Sequence, residues 1–264
     1  MFWYLNTPFF IKHLSVNLDG SDQPFITNKK LFNIPFAFVP PLSTQKQIVS
    51  KLDALFARID KSIGLLEENI QHTKDLMASV LDGELNSELS KNWETLKWID
   101  VVEIKNGKNQ KAVIDENGAY PIYGSGGLMA YANDYLCNEG TTIIGRKGTI
   151  NKPIFVETKF WNVDTAFGIM PKDKILPKYL FYFCKNYDFT KHNKSTTLPS
   201  LAKTDLLKIE MKLPSISKQK EIEKTISNFE IKTNNLITQQ SEKLKHLQSL
   251  KSSLLDRAFK GELV

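Results

Sequence analysis

The residues that could do chemistry come first. Gly140-Thr-Thr-Ile-Ile-Gly145-Arg146-Lys147 approaches a phosphate-cradling loop. That chemistry needs Lys and then Ser or Thr after the second glycine, and Arg146-Lys147-Gly148 stands there instead, behind a TTII run that reads as a strand. Gly124-Ser-Gly-Gly127 lacks the third glycine of a dinucleotide fingerprint, since Met129 occupies that place. His13, His72, His192 and His246 have no metal-ligand spacing among themselves or with the cysteines. Asp134, Glu139 and Asp164 are the right type for nuclease carboxylates around Lys147, but they form no spaced pair on adjoining strands. Val39-Pro-Pro-Leu42 lacks both outer residues of an Asn/Asp-Pro-Pro-aromatic adenine methylation motif. These residues predict no catalytic site.

Three loops suited to a polyanion remain. Tyr120 to Gly127 joins aromatics to a flexible glycine turn, with Tyr123, Gly124, Ser125 and Gly126 as candidate contacts. Arg146, Lys147 and Thr149 place two cations and a hydroxyl on a turn. Lys194, Ser195 and Thr196, within the run 191–197, add a cation and hydroxyls. Lysine and hydroxyl groups fix register on phosphates, and arginine can read guanine in the major groove. Each loop alone reads equally well as a hairpin turn with solvated charges. Their common location favours nucleic acid: the net charge is +6, and residues 91–212 hold 18 Lys and Arg against 13 Asp and Glu.

The elements that must position these loops follow from an internal repeat. Residues 40–85 and 213–264 both begin with proline, a hydroxyl and a glutamine, and both carry Gly-Glu-Leu near their ends. Ile48, Leu52, Leu55, Ile59, Ile63, Leu66 and Ile70 recur at steps of three and four; so do Ile222, Ile226, Phe229, Leu236, Leu244, Leu247, Leu250 and Leu254, with polar breaks at Thr233 and Gln240. Pro40, a capping box at Thr44 and Gln47, and Ser217 mark the predicted starts. Gly83 and Gly261 mark the predicted left-handed ends. Helices of about 35 residues span about 50 Å. Their narrow stripes are expected to pack together as an antiparallel coiled coil. Between them, from near Trp93 after the SELSKN linker, short apolar runs alternate with turn residues: WIDVVEI to a turn at Asn106-Gly107, YPIYGSGG, TTIIGRKGTI, KPIFVE and TAFGIM. A helix is expected over 178–186. The fold class is α+β: one mixed domain over 91–212 plus two long helices.

Residues 1–39 resemble the tail of that domain. They read as an aromatic helix or strand, a loop, and an extended segment over 34–39 entering Pro40. Phe10 to His13 is placed against Phe189 to His192, and Ile34 against Ile209. About 40 residues are too few for a core of their own. Apolar content of 41% and charged content of 24% describe a soluble globular chain. No apolar run suits a membrane span, and the start is a poor signal peptide. Cys137 and Cys184 are expected to be reduced and buried in a cytoplasmic protein.

These features resemble the specificity (S) subunits of type I restriction–modification enzymes. The resemblance rests on P-L-S-x-Q-x-x-I at Pro41–Ile48, KLDALFARIDKSIGLLEENI at 51–70, Trp93, YPIYGSGG, IIGRKGT, FWNVDTAFG at 160–168, and TTLPSL leading into LPSISKQKEI. It covers essentially the whole chain. It implies a non-catalytic DNA-recognition subunit in which two recognition domains alternate with two helices. The helices would form an antiparallel spacer, and each domain would read half of a bipartite double-stranded DNA site. It also implies docking of methyltransferase (M) subunits, which use S-adenosylmethionine, and of restriction (R) subunits, which need ATP and magnesium. The chain would itself hold no cofactor. It departs from the pattern in having one complete recognition domain, 91–212, with the first reduced to 1–39, and so implies one half-site per chain. A second copy in a homodimer, or a separately encoded half-subunit, would restore a bipartite target. The alternatives are a coiled-coil assembly scaffold, or an inert product of a truncated gene or silent cassette.

Overall fold

The computed structural model describes residues 2–35, 41–86 and 88–262. Its elements, in order, begin with α1 (Phe2–Leu5), α2 (Pro8–Val16), α3 (Asn28–Phe32) and the long α4 (Leu42–Asn86). The sheet region follows: β1 (Glu94–Lys97), α5 (Trp98–Val101), β2 (Val102–Asn106), β3 (Tyr120–Gly124), β4 (Gly127–Ala132), β5 (Thr141–Gly145), β6 (Ile154–Val156), β7 (Trp161–Asn162) and β8 (Ala166–Pro171). It closes with α6 (Pro177–Asn186), α7 (Lys203–Leu206), β9 (Glu210–Leu213) and the long α8 (Ile216–Phe259). Two compact units result: 75–232, and a second made of 1–74 with 233–264. Each long helix contributes to both. No helix among the described residues is long and apolar enough to cross a membrane.

In the unit 75–232, a four-stranded antiparallel sheet runs β2-β8-β5-β6. A three-stranded sheet runs β4-β3-β7, and β1 pairs with β9. The alternating burial of β2 and the full burial of β5 mark an edge and a central strand. Trp98, Ile144, Phe167, Tyr179 and Leu206 form the core, closed by Leu81 and Leu85 of α4 and Ile222 and Ile226 of α8. Cys137 and Cys184 are buried and free. Burial in apolar surroundings disfavours the thiolate, pushing Cys137 up to about 12 and Cys184 upward as well. The Gln219 side chain ties α8 to α6: its Oε1 accepts from Leu176 N–H at 2.8 Å, and its Nε2 donates to the Lys174 and Pro214 carbonyls.

In the other unit, Ile48, Leu52, Phe56 and Ile59 of α4 pack on Leu255 and Ala258 of α8. Lys251 pairs with Asp60 at 2.6 Å. In both units the early part of one long helix lies against the late part of the other, so the pair is antiparallel, as expected. α1 seals the α4–α8 seam. Trp3 stacks edge-on to Phe56 at 4.8 Å and donates to Asp53, while Tyr4 meets Phe259 at 5.5 Å.

Several local expectations are corrected. Steps of 4 then 3 fit the stripe as well as 3 then 4. Phe56 is the buried residue and Leu55 is exposed, because Trp3 and the Lys251 ammonium, 5.1 Å from the ring, cover Phe56. Leu236 and Leu250 are likewise exposed, while Leu255 and Ala258 are buried. Thr44 lies inside α4, whose first turn is closed by Gln45 N–H on the Pro41 carbonyl, so no capping box forms there. The cap of α8 is Ser215, whose Oγ accepts from Lys218 N–H, not Ser217. Gly261 has φ 79° with Glu262 N–H on the Arg257 carbonyl, the expected left-handed end. Gly83 is helical, since α4 continues to Asn86. The WIDV part of the first apolar run is the helix α5, not strand. Phe10 to His13 lie on α2, whereas Phe189 to His192 form a 3₁₀ turn after α6, so that alignment fails. Pro40, most of the extended segment 34–39, Ser87 of the linker and Leu263 lie outside the described residues.

Candidate nucleic-acid interface

The central strand β5 ends at Gly145, and the chain folds back at once. A Cβ on Gly145 would lie 2.1 Å from the Thr149 carbonyl oxygen, so only glycine permits the reversal. The strap that follows is held from two sides. Arg146 and Lys147 N–H groups both donate to the Thr165 carbonyl, at 2.8 and 3.2 Å. On the other side, Gly148 N–H donates to the Pro199 carbonyl and Leu201 N–H to the Arg146 carbonyl, both at 2.9 Å, with Lys147 opposite Ser200. The 193–200 loop is thereby stitched to the strap.

Asn193 organises that loop. Its Oδ1 accepts from Ser195 and Ser200 N–H, and its Nδ2 donates to the Ser195 carbonyl. Ser195 Oγ accepts from Leu198 N–H at 3.4 Å, so this hydroxyl is engaged in the turn, while Thr196 is exposed. Lys194 is ion-paired to Asp205 at 2.5 Å, and Lys208 approaches the same carboxylate at 3.6 Å. The hydrogen bond from Lys194 holds the Asp205 carboxyl below the usual carboxylate range.

The glycine loop is a tight hairpin between β3 and β4, with Ser125 and Gly126 at its tip and Gly124 opposite Gly127. Gly127 has φ 123°, a conformation side chains rarely adopt. This tip reaches the strap: a Cβ on Gly148 would come within 3.8 Å of Ser125 Oγ. Three segments separated in sequence thus meet at one edge, and Ser125, Lys147 and Ser200 mark the junction.

The remaining candidates divide. Lys147 is exposed, and Thr149 is half-buried with its carbonyl against Gly145. Arg146 is half-buried; its Nη1 donates to the Asp164 carbonyl at 3.3 Å and its guanidinium lies 5.9 Å from the Phe167 ring centre. Tyr123 turns inward, edge-on to Phe160 at 5.7 Å, packed against the Cys137 and Ile143 cluster. Gly124 is buried on β3, with no side chain to offer. The geometry adds Asn193 and Asp205, which sequence reading missed. The signal was present in the Asn-x-Ser turn pattern, but Asp205 sits in a helix with no hint of Lys194 as its partner. No group of three or more His, Cys, Asp or Glu that could hold a metal occurs among the described residues.

Residues 90–246 match the type I restriction modification DNA specificity domain. The chain is 24% identical over 270 residues to the type I restriction enzyme specificity subunit S.HindORF215P assigned in Haemophilus influenzae, covering 89% of this chain and 65% of that one. It is 23% identical over 315 residues to the EcoDI specificity subunit of Escherichia coli, covering 100% and 69%. The chain spans about two thirds of the length of these two curated relatives. A chain from a structure of the type I R-M system superposes with a TM-score of 0.85 at 20% identity, over 99% of this chain and 70% of that one, which shows a shared fold. With the family model matched over more than half its length, the chain belongs to the family of type I restriction–modification specificity subunits.

Proposed function

We propose that the unit containing 91–212 binds double-stranded DNA at the edge where the Ser125–Gly126 tip, the Arg146–Thr149 strap and the 193–200 loop meet, and reads one half of a bipartite site. The observation that carries this reading is the backbone pairing of Lys147 with Ser200, with Ser125 alongside. It gathers exposed cations and hydroxyls from distant segments onto one rigid edge. Lys147 and Thr196 meet phosphates, and Ser125 and Gly126 allow the backbone close approach. Arg146 is held by the Asp164 carbonyl in a fixed orientation, suited to base reading more than to phosphate capture. The antiparallel α4–α8 pair docks the M subunits, and R subunits join through that assembly. Adenine methylation with S-adenosylmethionine, and the ATP- and magnesium-dependent steps, belong to those partners. A second copy or a separately encoded half supplies the other half-site.

The test is duplex binding by fluorescence anisotropy across a salt series. Lys147→Ala should flatten the slope of log K against log salt by about 0.9, the effect of one phosphate contact, while leaving the circular dichroism unchanged. Arg146→Ala should cut affinity with the fold intact. A wild-type chain with no salt-sensitive binding to DNA would favour the scaffold reading. Salt-sensitive binding with no new methylation motif in cells that also make M would favour an inert product.

A further inference from the structure

The β3–β4 hairpin carries two large apolar side chains that face solvent just behind its tip. Leu128 and Met129, which follow Gly127, are 53% and 59% exposed. Scattered apolar residues on a surface are ordinary, but two adjacent ones at a binding edge point to a contact. The strand register separates them. Ile122 stands opposite Ala130 and Tyr123 opposite Leu128, so Met129 is the extra residue of a bulge. A bulge frees one residue from the ladder and re-aims its side chain. Here the thioether lies over Gly124: a Cβ added to that glycine would come within 2.7 Å of Met129 Sδ. Leu128, opposite Tyr123, shares the Tyr123 side of the hairpin, and Gly124, the next residue along β3, belongs to the other side. The ribbon thus presents an apolar group on each face behind a tip of serine and glycine.

Duplex DNA is the surface that suits this tip. Ser125 already abuts Gly148 of the strap, so the two apolar groups continue the edge described above. Exposed cations border it: Lys147 precedes Gly148, and Lys108 N–H donates to the carbonyl of Asn162, the β7 residue paired with Tyr123. A cationic border around apolar groups fits a polyanion with apolar atoms inside its grooves. The major groove admits a two-stranded β-ribbon, and the methyl group it displays is the C5-methyl of thymine. Methionine is unbranched and polarizable, so its thioether can follow the position of that methyl. A base that offers only polar atoms there would leave them unpaired against the thioether.

We propose that Met129 is a specificity-determining residue that reads thymine in the major groove by contact of its thioether with the C5-methyl group; this rests on the reading that the edge binds duplex DNA. Leu128 fills the groove on the other face of the ribbon. Gly124 is needed in this arrangement because any side chain there would push the sulfur aside.

The test is a uracil scan. A random duplex library is selected on the full chain, and each thymine of the enriched site is replaced in turn by deoxyuridine, which keeps the base pair and removes the methyl alone. Anisotropy titrations should show binding weakened about fourfold at one thymine, the effect of one methyl no longer buried. Met129→Ala should bind the thymine duplex as weakly as the wild type binds the uracil duplex, and should no longer distinguish the two. Met129→Leu should retain most of the difference, and circular dichroism reports the fold. An enriched site with no fixed thymine, uracil tolerated at every position by the wild type, or a uracil penalty that survives in Met129→Ala would overturn the proposal. So would Met129→Ala binding both duplexes like wild type while losing co-purification with M, which would make the patch a protein contact. Salt-sensitive wild-type binding with no uracil effect defeats this proposal alone, whereas no salt-sensitive binding defeats the DNA reading with it.

Discussion

Asp205→Asn offers the sharpest test of how the DNA edge is tuned. In the free protein Lys194 is neutralised: its ammonium sits 2.5 Å from Asp205, which also attracts Lys208 at 3.6 Å. A phosphate must compete with that carboxylate for the same cation. Removing the negative charge while keeping the side-chain shape frees Lys194 without emptying the site. One additional phosphate contact steepens the slope of log K against log salt by about 0.9, and a rise from about 50 to about 200 mM then costs about 3.5-fold more affinity than in wild type. The variant is therefore expected to bind a mixed-sequence duplex more tightly at low salt and to converge on wild type as salt rises. Lys194→Ala alone should change the slope little, and Asp205→Asn with Lys194→Ala should return it to near the wild-type value. Anisotropy titrations at four salt concentrations, with circular dichroism as a fold control, would decide it. If Asp205→Asn weakens binding at every salt concentration with the fold intact, the ion pair is a loop strut and Lys194 does not contact DNA.

Leu52→Ala should lower stability by about 2–5 kcal/mol, and Leu55→Ala, at an exposed position, should be nearly silent in the same thermal melts. Gly145→Ala should displace the strap, because the new Cβ would overlap the Thr149 carbonyl at 2.1 Å; duplex binding should be lost while far-ultraviolet ellipticity from the long helices persists. Asp188 accepts from the Thr190 hydroxyl, Asn151 and Thr190 N–H, and is held down to about 2. A depressed carboxyl contributes stability that is complete above about pH 4 and lost as pH falls towards 2, so Asp188→Asn should flatten the acid dependence of the urea midpoint in that window.

Much of the fold was legible because its signals are local. Steps of three and four revealed two long helices, and short apolar runs between turn residues revealed β2, β3, β5, β6 and β8. The failures have physical causes. Gly-Glu-Leu occurs near both helix ends, yet Gly83 stays helical because Leu81 and Leu85, on either side of it, are buried in the domain core. Gly261 lies just beyond Phe259, where α8 ends, and takes the left-handed cap. Leu55 and Phe56 fit the stripe equally; the choice between them was made by Trp3, about 50 residues away, which no helical period encodes. The three candidate loops were found by residue type. Their meeting was not visible, because it depends on Lys147 pairing with Ser200 across 53 positions. Tyr123 was chosen for its aromatic ring, but that ring is half-buried edge-on to Phe160, a contact across 37 positions that strand alternation does not encode.

The discontinuous unit has a consequence for synthesis. Its core joins Ile48, Leu52 and Phe56 to Leu255 and Ala258, and its ion pair joins positions 60 and 251. A ribosome delivers the first group some two hundred residues before the second, while the unit 75–232 is contiguous and has all its strands in hand earlier. Domains generally fold as units during synthesis, and closing long loops delays non-local contacts. The nascent chain therefore carries a folded recognition domain while the stripe of α4 from Ile48 to Ile63, touched at Phe56 by Trp3, still lacks its cover from α8. During that interval the stripe is a natural substrate for chaperones and a seed for aggregation, until the last turns of α8 emerge and cover it.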